Sequence, residues 1–363
     1  MSNTIGKNLR VTLFGESHGE EIGAVLDGMK AGEEVDYSLI DSLLAKRRPS
    51  GRGETARIEK DSYRFVSGIF NGKTTGAPIC VLIPNENKRS SDYDVLSSLA
   101  RPSHADYAAN EKYLGFQDYR GGGHFSGRLT APLVALSGLV FPLLRKKGMK
   151  ICTHILELGG VKDRDLVYSS LTDGEADGLF EERFPVLDPV GEKMEEKIEE
   201  AASKKDSIGG VTQTAILHLP VGTGEPSFDS LESVLSSYMF SIGGIKGIEF
   251  GSGFAFKDGT GSTMNDEFYM DGDMVKTKTN HNGGINGGIA NGMPVVFNCA
   301  VKPTSSIGLK QDTVDFKKKE DAVLELTGRH DPAIIRRACV VIDAMTAFAV
   351  ADSLISSFGK DVL

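Results

Sequence analysis

Tryptophan is absent, and aromatic residues make up only 7% of the chain. Few rings are therefore available for nucleic-acid bases to stack on. Positive charge is not in excess either. The 41 Lys and Arg face 50 Asp and Glu, for a net charge of −9, which argues against a broad basic face of the kind that binds nucleic acid. Net charge says nothing local, so a basic cleft in an acidic protein stays open. Cysteine is scarce. Cys80, Cys152, Cys299 and Cys339 show no C-x-x-C spacing, which points to reduced thiols in a cytoplasmic protein rather than a disulfide framework or a zinc site, and no metal is expected. The longest apolar stretch, Leu129 to Leu144, carries Pro132 and Pro142 and is short for a membrane span. It reads as a buried helix ended by the basic RKKG at 145–148. The opening MSNTIGKNLRVTLFGESHG has no long apolar run, so no signal peptide is expected.

Glycine is what the chain has in abundance: 43 of 363 residues, well above the usual share of roughly 7%. The surplus calls for sharp turns or for backbone lying close to a ligand.

Periodicity organises the chain. RVTLFG at 10–15 and EIGAVLDGM at 21–29 read as strands around a glycine turn, and GAPICVLIP at 76–84 as an apolar strand. Helical spacing appears at 38–48, at 104–115, in the charged surface segment 190–205 and at 230–242. Alternation at 209–222, 247–255 and 292–306 predicts strands, the last one leaving into a polar turn, and 332–358 an apolar helix. With no short repeat and no low-complexity linker, one α+β domain over 1–363 is the simplest reading.

Candidate chemistry lies in the loops. FGESHGEEIG at 14–23 sets Glu16, Ser17 and His18 between glycines just after a strand. A histidine there can exchange a proton near neutral pH, although alone it reads as a turn residue. AKRRPSGRGETAR at 45–57 holds Arg47, Arg48, Arg52 and Arg57 around a Pro/Gly loop. Solvated charge at a helix end explains them, and so does a polyanion. ARPSHADY at 100–107 adds Arg101, His104 and Asp106, with His104 also placed to cap the next helix. In DYRGGGHFSGRLT at 118–130, three glycines separate two arginines, the residue with a planar fork for phosphate or carboxylate. HNGGINGGIANGM at 281–293 lacks the spacing of a dinucleotide fingerprint and fits a glycine floor under a planar ligand. VKPTSSIG at 301–308 offers Lys302, Thr304, Ser305 and Ser306 to a phosphate, or is merely a hydroxyl-rich turn. In TGRHDPAIIRRA at 327–338, Asp331 suits a helix N-cap and Pro332 a first helical position, with at least one of Arg336 and Arg337 making a buried salt bridge.

Taken together, FGESHG (14–19), DSLLAKRRP (41–49), RPSHADY (101–107), DYRGGG (118–123), GGINGGIANG (283–292), KPTSS (302–306) and GRHDP (328–332) resemble the chorismate synthase family in order and spacing. The resemblance runs from near residue 5 to near residue 355. It implies an α+β fold with helices sandwiched between antiparallel sheets, a cytoplasmic homotetramer, and no nucleic-acid or membrane partner. The implied reaction converts 5-enolpyruvylshikimate 3-phosphate to chorismate by anti 1,4-elimination of phosphate. Reduced FMN is required without net redox change, and NADPH is a candidate reductant. By resemblance His18, His104 and Asp331 are catalytic: His18 assists proton transfer at the reduced flavin, His104 protonates the leaving phosphate or stabilises its charge, and Asp331 relays a proton from flavin nitrogen 5. Arg47, Arg48, Arg128 and Ser17 take the substrate. Cofactor contacts map to His124, Phe125, Ser126, Gly243, Gly244, Gly287, Lys302, Pro303, Thr304, Ser305, Ser306 and Arg329. One stretch departs from the family. Where many members read RGGGRSSARET, this chain reads RGGGHFSGRLT, so His124 and Phe125 replace an arginine and a serine. An alternative reading is an inactive flavin- or phosphate-binding paralogue.

Overall fold

Short β-branched runs pair into two five-stranded antiparallel sheets. In the computed structural model, which describes residues 3–49, 61–86, 97–326 and 331–363, the first sheet has the order Thr4–Ile5, Arg10–Gly15, Glu21–Asp27, Ile79–Pro84, Arg64–Ser67. Leu13 faces Ala24, and Ala24 faces Val81. Ile79, Val81 and Ile83 are buried, while Cys80, Leu82 and Pro84 are partly covered, the period-two pattern of a sheet with one face on the core. The second sheet runs Ile245–Phe250, Val295–Val301, Gly210–Leu217, Lys150–Leu158, Val161–Lys162.

Helices fill the space between the sheets. Thr130–Lys146 packs on the first sheet and on Ile335–Phe358, which in turn packs on the second. Helix Tyr37–Arg47 lies against both. It comes so close at Gly138 that a Cβ there would sit 3.4 Å from Ile40 Cα and 2.5 Å from its Cγ1. Two helices, Gly127–Lys146 and Ile335–Phe358, are long and apolar enough to cross a membrane, and both are mostly buried inside the sandwich. Asp352, on the second of these, accepts the backbone N–H groups of Lys7, Asn8 and Leu9 and so ties down the N-terminal segment.

Several expected boundaries shift. The last helix begins at Ile335 rather than 332. Pro332 therefore precedes it, and Asp331 is not its N-cap: its carboxylate accepts from Ala333 N at 3.1 Å in the turn before the helix. The strand expected at 292–306 spans Val295–Val301, and the polar turn lies outside it. His104 does not cap helix Asp106–Lys112, whose cap position is Ala105. Residues 150–189 received no element from the sequence. They hold strand Lys150–Leu158 and helix Asp173–Glu181. The helix starts at a reciprocal capping box between Thr172 and Glu175, a signal that was readable.

Asp343 is an ionisable side chain buried inside the sandwich, accepting a 2.7 Å hydrogen bond from Thr153 Oγ1. Burial pushes its carboxyl up to about 7 against the pull of Thr153, Lys46 and Arg145. An unfolded aspartate ionises near pH 4, roughly three units lower. Across that window the folded chain keeps a proton the unfolded chain releases, so stability falls as pH rises from about 4 to 7. Asp343→Asn retains an acceptor for Thr153 and cannot ionise. It is expected to gain on the wild type progressively over that window, by at most about 4 kcal/mol for three units. Denaturant melts at pH 5 and pH 8 read the difference, and a gap that does not widen at the higher pH would contradict it.

Candidate functional site

The turn between strands Arg10–Gly15 and Glu21–Asp27 presents Ser17 and His18, each 3% exposed. Backbone bonds shape it. Gly19 N donates to Glu16 O at 3.0 Å, and Asn85 Nδ2 donates to the carbonyls of Glu16 and Gly19, both at 3.0 Å. Ser17 N donates to Gly123 O at 3.1 Å, joining this turn to the glycine run of DYRGGG.

That run needs glycine. Gly121, Gly122 and Gly123 have φ of 58°, 83° and 52°, the left-handed region that other residues rarely enter. Space is closed as well. A Cβ on Gly121 would strike the His18 ring and lie 3.0 Å from Ser17 Oγ, and one on Gly122 would lie 3.4 Å from His104 Cε1 and Nε2. Two histidines 86 residues apart in sequence thus stand on one triglycine floor. His124, at the departure from the family pattern, donates from Nδ1 to Gly15 O at 3.1 Å. It braces the floor against the end of the strand. Phe125 is exposed, with its ring near Tyr113. Ser126 accepts at its hydroxyl from Arg128 N at 3.3 Å.

A second cluster adjoins His104. Arg101 reaches Ser306 Oγ at 3.2 Å and holds Asp106. Lys302 Nζ bonds to Ser103 O and, at 3.0 Å, to Ser305 Oγ, while Ser305 donates to Ser103 O at 3.1 Å. The two segments 101–106 and 302–306 are therefore stapled at several points. Desolvation, then the neighbouring charge of Lys246, holds the Lys302 ammonium below its ordinary range. Lys302 N donates to Gly244 O at 2.9 Å, and a Cβ on Gly243 would meet nothing within 4 Å. Among the described residues Thr304 Oγ1 is buried without a hydrogen-bond partner.

The arginines converge on a residue the sequence did not flag. Asp61, its side chain fully buried, pairs with Arg47 Nη1 at 3.1 Å and with Arg128 Nη1, and Arg48 Nε lies 3.8 Å away. Arg47 also donates to Thr130 Oγ1 and to the carbonyls of Gly127 and Arg128. Arg128 donates to Asn85 Oδ1 and Pro84 O. Three guanidiniums, those of Arg47, Arg48 and Arg128, thus gather around this one carboxylate. Arg48 is the most open of the three, at 33% side-chain exposure.

Asp331 is 8% exposed and pairs through Oδ2 with Arg337 at 2.6 Å. Arg336 pairs with Glu195 at 3.0 Å with its own side chain buried, so both arginines make salt bridges. Arg52, Arg57, Arg329 and His330 lie outside the described residues. The glycine floor expected at 281–293 is packed instead. A Cβ on Gly283 would lie 2.5 Å from Gly251 N, and one on Gly284 2.8 Å from Pro294 C. These glycines let backbone meet backbone. Gly287 is open, but its neighbour Gly288 accepts from Leu231 N, at the start of the ten-residue helix whose far end leads to Gly243. About 15 Å of helix separates them at 1.5 Å per residue, so the chain does not bring Gly287 to Gly243 and Gly244.

An α+β sandwich that sets His18 and His104 on a glycine floor, beside a cluster of three arginines, defines an enzyme for a small anionic substrate. The chain belongs to the chorismate synthase family, whose family model matches residues 9–355. Chorismate synthase of Dehalococcoides mccartyi is 42% identical, covering 97% of this chain and 96% of that protein. The Pyrococcus abyssi enzyme of the same name is 40% identical over 96% and 97%, and that of Cytophaga hutchinsonii 41% over 97% of each. A crystal structure of chorismate synthase matches with a TM-score of 0.73 at 27% identity, covering 98% of this chain and 94% of that one. The sandwich of helices between antiparallel sheets is the expected family architecture.

Proposed function

We propose that this chain converts 5-enolpyruvylshikimate 3-phosphate to chorismate and inorganic phosphate by anti 1,4-elimination, with reduced FMN bound. The observation that carries the reading is the meeting of His18 and His104 on the floor of Gly121 and Gly122. The residues present fit a flavin phosphate. Thr304 offers a buried hydroxyl without a partner among the described residues, Lys302 an ammonium, and Gly243 open space. Lys302 to Ser306, Gly243, Gly244 and the 124–126 segment would hold the cofactor, and Arg329 joins them by resemblance. Held by these residues, reduced FMN would supply a transient electron and a place for the remaining hydrogen.

The chain's own residues then divide the work. The guanidiniums of Arg47, Arg48 and Arg128 draw the substrate's two carboxylates and phosphate, with Arg48 the arginine nearest solvent and Ser17 beside His18. His104 gives a proton to the leaving phosphate from Nε2, His18 holds a proton where it packs on Gly121, and Asp331 accepts and passes on the proton released. We take the chain as one catalytic domain in a cytoplasmic homotetramer, with NADPH a candidate reductant. Gly287 would then meet the cofactor only from a neighbouring copy, and a fully active monomer would contradict that arrangement.

The reading is tested at the arginines. Arg47→Ala and Arg128→Ala are expected to weaken substrate binding by roughly 1.5–3 kcal/mol, the worth of a charge-assisted hydrogen bond. Because both hold Asp61, melting curves on the same preparations separate lost binding from lost structure. Unchanged substrate dissociation constants in both variants would contradict the site.

A further inference from the structure

His104 sits in a clamp whose geometry fixes more than its position. Asp106 Oδ1 lies 2.6 Å from His104 Nδ1. The same carboxylate receives Arg101 Nη2 at 2.7 Å, Arg101 Nε at 2.8 Å and Arg101 N at 2.9 Å. Asp106 and Arg101 side chains are each only 7% exposed. Burial works against ionisation of Asp106, but the Arg101 and His104 hydrogen bonds outweigh it and hold the carboxyl well below the usual range. An ionised carboxylate only accepts hydrogen bonds. The ring nitrogen 2.6 Å away must therefore carry the hydrogen. Arg101 Nη2 also lies within hydrogen-bond reach of that nitrogen, at 3.0 Å, but it can donate there only in the opposite tautomer; the shorter, charge-assisted contact with the Asp106 carboxylate decides for the hydrogen on Nδ1.

We propose that Asp106, held by Arg101, is the positioning residue that locks His104 with its hydrogen on Nδ1 and turns Nε2 onto the Gly122 floor. Nε2 is then the one ring atom through which His104 exchanges a proton with the pocket. In the forward direction the Nε2–H bond breaks, the proton goes to an oxygen of the departing phosphate, and the ring is left neutral with its remaining hydrogen on Nδ1. The inference rests on the reading of His104 as the proton donor. It adds the tautomer, the atom, and two residues that serve catalysis without touching substrate. Ser306 accepts from Arg101 Nη1 at 3.2 Å, which carries the clamp to the segment proposed for the cofactor.

The test uses 15N-histidine-labelled full-length protein. His104 signals are assigned by their loss in His104→Ala, and the ring is observed at a pH where it is neutral. The expected pattern is a protonated Nδ1 and a bare Nε2 in the wild type, shifting towards the opposite tautomer in Asp106→Asn. Turnover of Asp106→Asn should fall by roughly 10²-fold, with the substrate KM changed by less than about threefold. A neutral wild-type ring with its hydrogen on Nε2 overturns the proposal whether or not any variant folds. A protonated Nδ1 together with normal turnover in Asp106→Asn overturns the positioning role. If His104→Ala itself turns over normally, the proton-donor reading fails first, and the two failures are told apart.

Discussion

His18→Ala and His104→Ala are each expected to slow chorismate formation by roughly 10²–10⁴-fold, the range that a positioned acid or base contributes. Cofactor binding should persist in both, because the hydroxyl segment 302–306 is held by Lys302, Ser305 and Ser103 without help from either imidazole. The structure sharpens the expectation. Each ring packs on its own glycine of the 121–123 run, so removing one leaves a gap at the floor and the other histidine in place. His104→Ala also strips a partner from Asp106, but Arg101 still grips that carboxylate through three donors. Little global destabilisation follows, and the loss should appear in turnover. Single-turnover rates and FMN titrations on each variant check it. Near-normal rates in both would return the histidines to a structural role in the turn and loop.

Asp331→Asn should lose most of its chorismate-forming rate while remaining folded. Asparagine keeps an oxygen for the Ala333 N–H bond, and it caps backbone about as well as aspartate. It forfeits the charge that meets Arg337, a pair with 26% exposure on the arginine side. With the carboxylate only 8% exposed the pair is partly buried, so its loss costs more than that of an open surface pair, and a modest drop in melting temperature without unfolding is expected. What asparagine cannot do is take and release a proton. A variant that melts and turns over like the wild type would leave Asp331 as a turn residue tied to Arg337. Normal melting with lost turnover supports the relay.

The parts of this site that the sequence revealed are those set by local chemistry. FGESHG reads as a turn after a strand because glycines bracket it, and the hairpin between Arg10–Gly15 and Glu21–Asp27 follows. The triglycine run advertises itself because positive φ and closed space at three successive positions leave little alternative. Asp61 was invisible for the opposite reason. It sits in KDSYRF with no motif around it, and its meaning arises only when Arg47 and Arg48, from the end of one helix, meet Arg128, from the turn before another. HNGGINGGIANG misled because glycine looks the same whether backbone approaches a ligand or another backbone. Gly283 and Gly284 do the latter. The last helix was placed early because Asp331–Pro332 is a common helix start, whereas here the carboxylate serves a turn and Arg337.

The central claim is tested most directly by mixing the purified chain, without air, with pre-reduced FMN and 5-enolpyruvylshikimate 3-phosphate and following both products. The account predicts chorismate and inorganic phosphate in equal amounts over many turnovers, with the flavin still reduced at the end. Reduced FMN bound tightly with neither product formed would contradict it, and would make the chain a flavin- and phosphate-binding relative that has kept the site and lost the reaction.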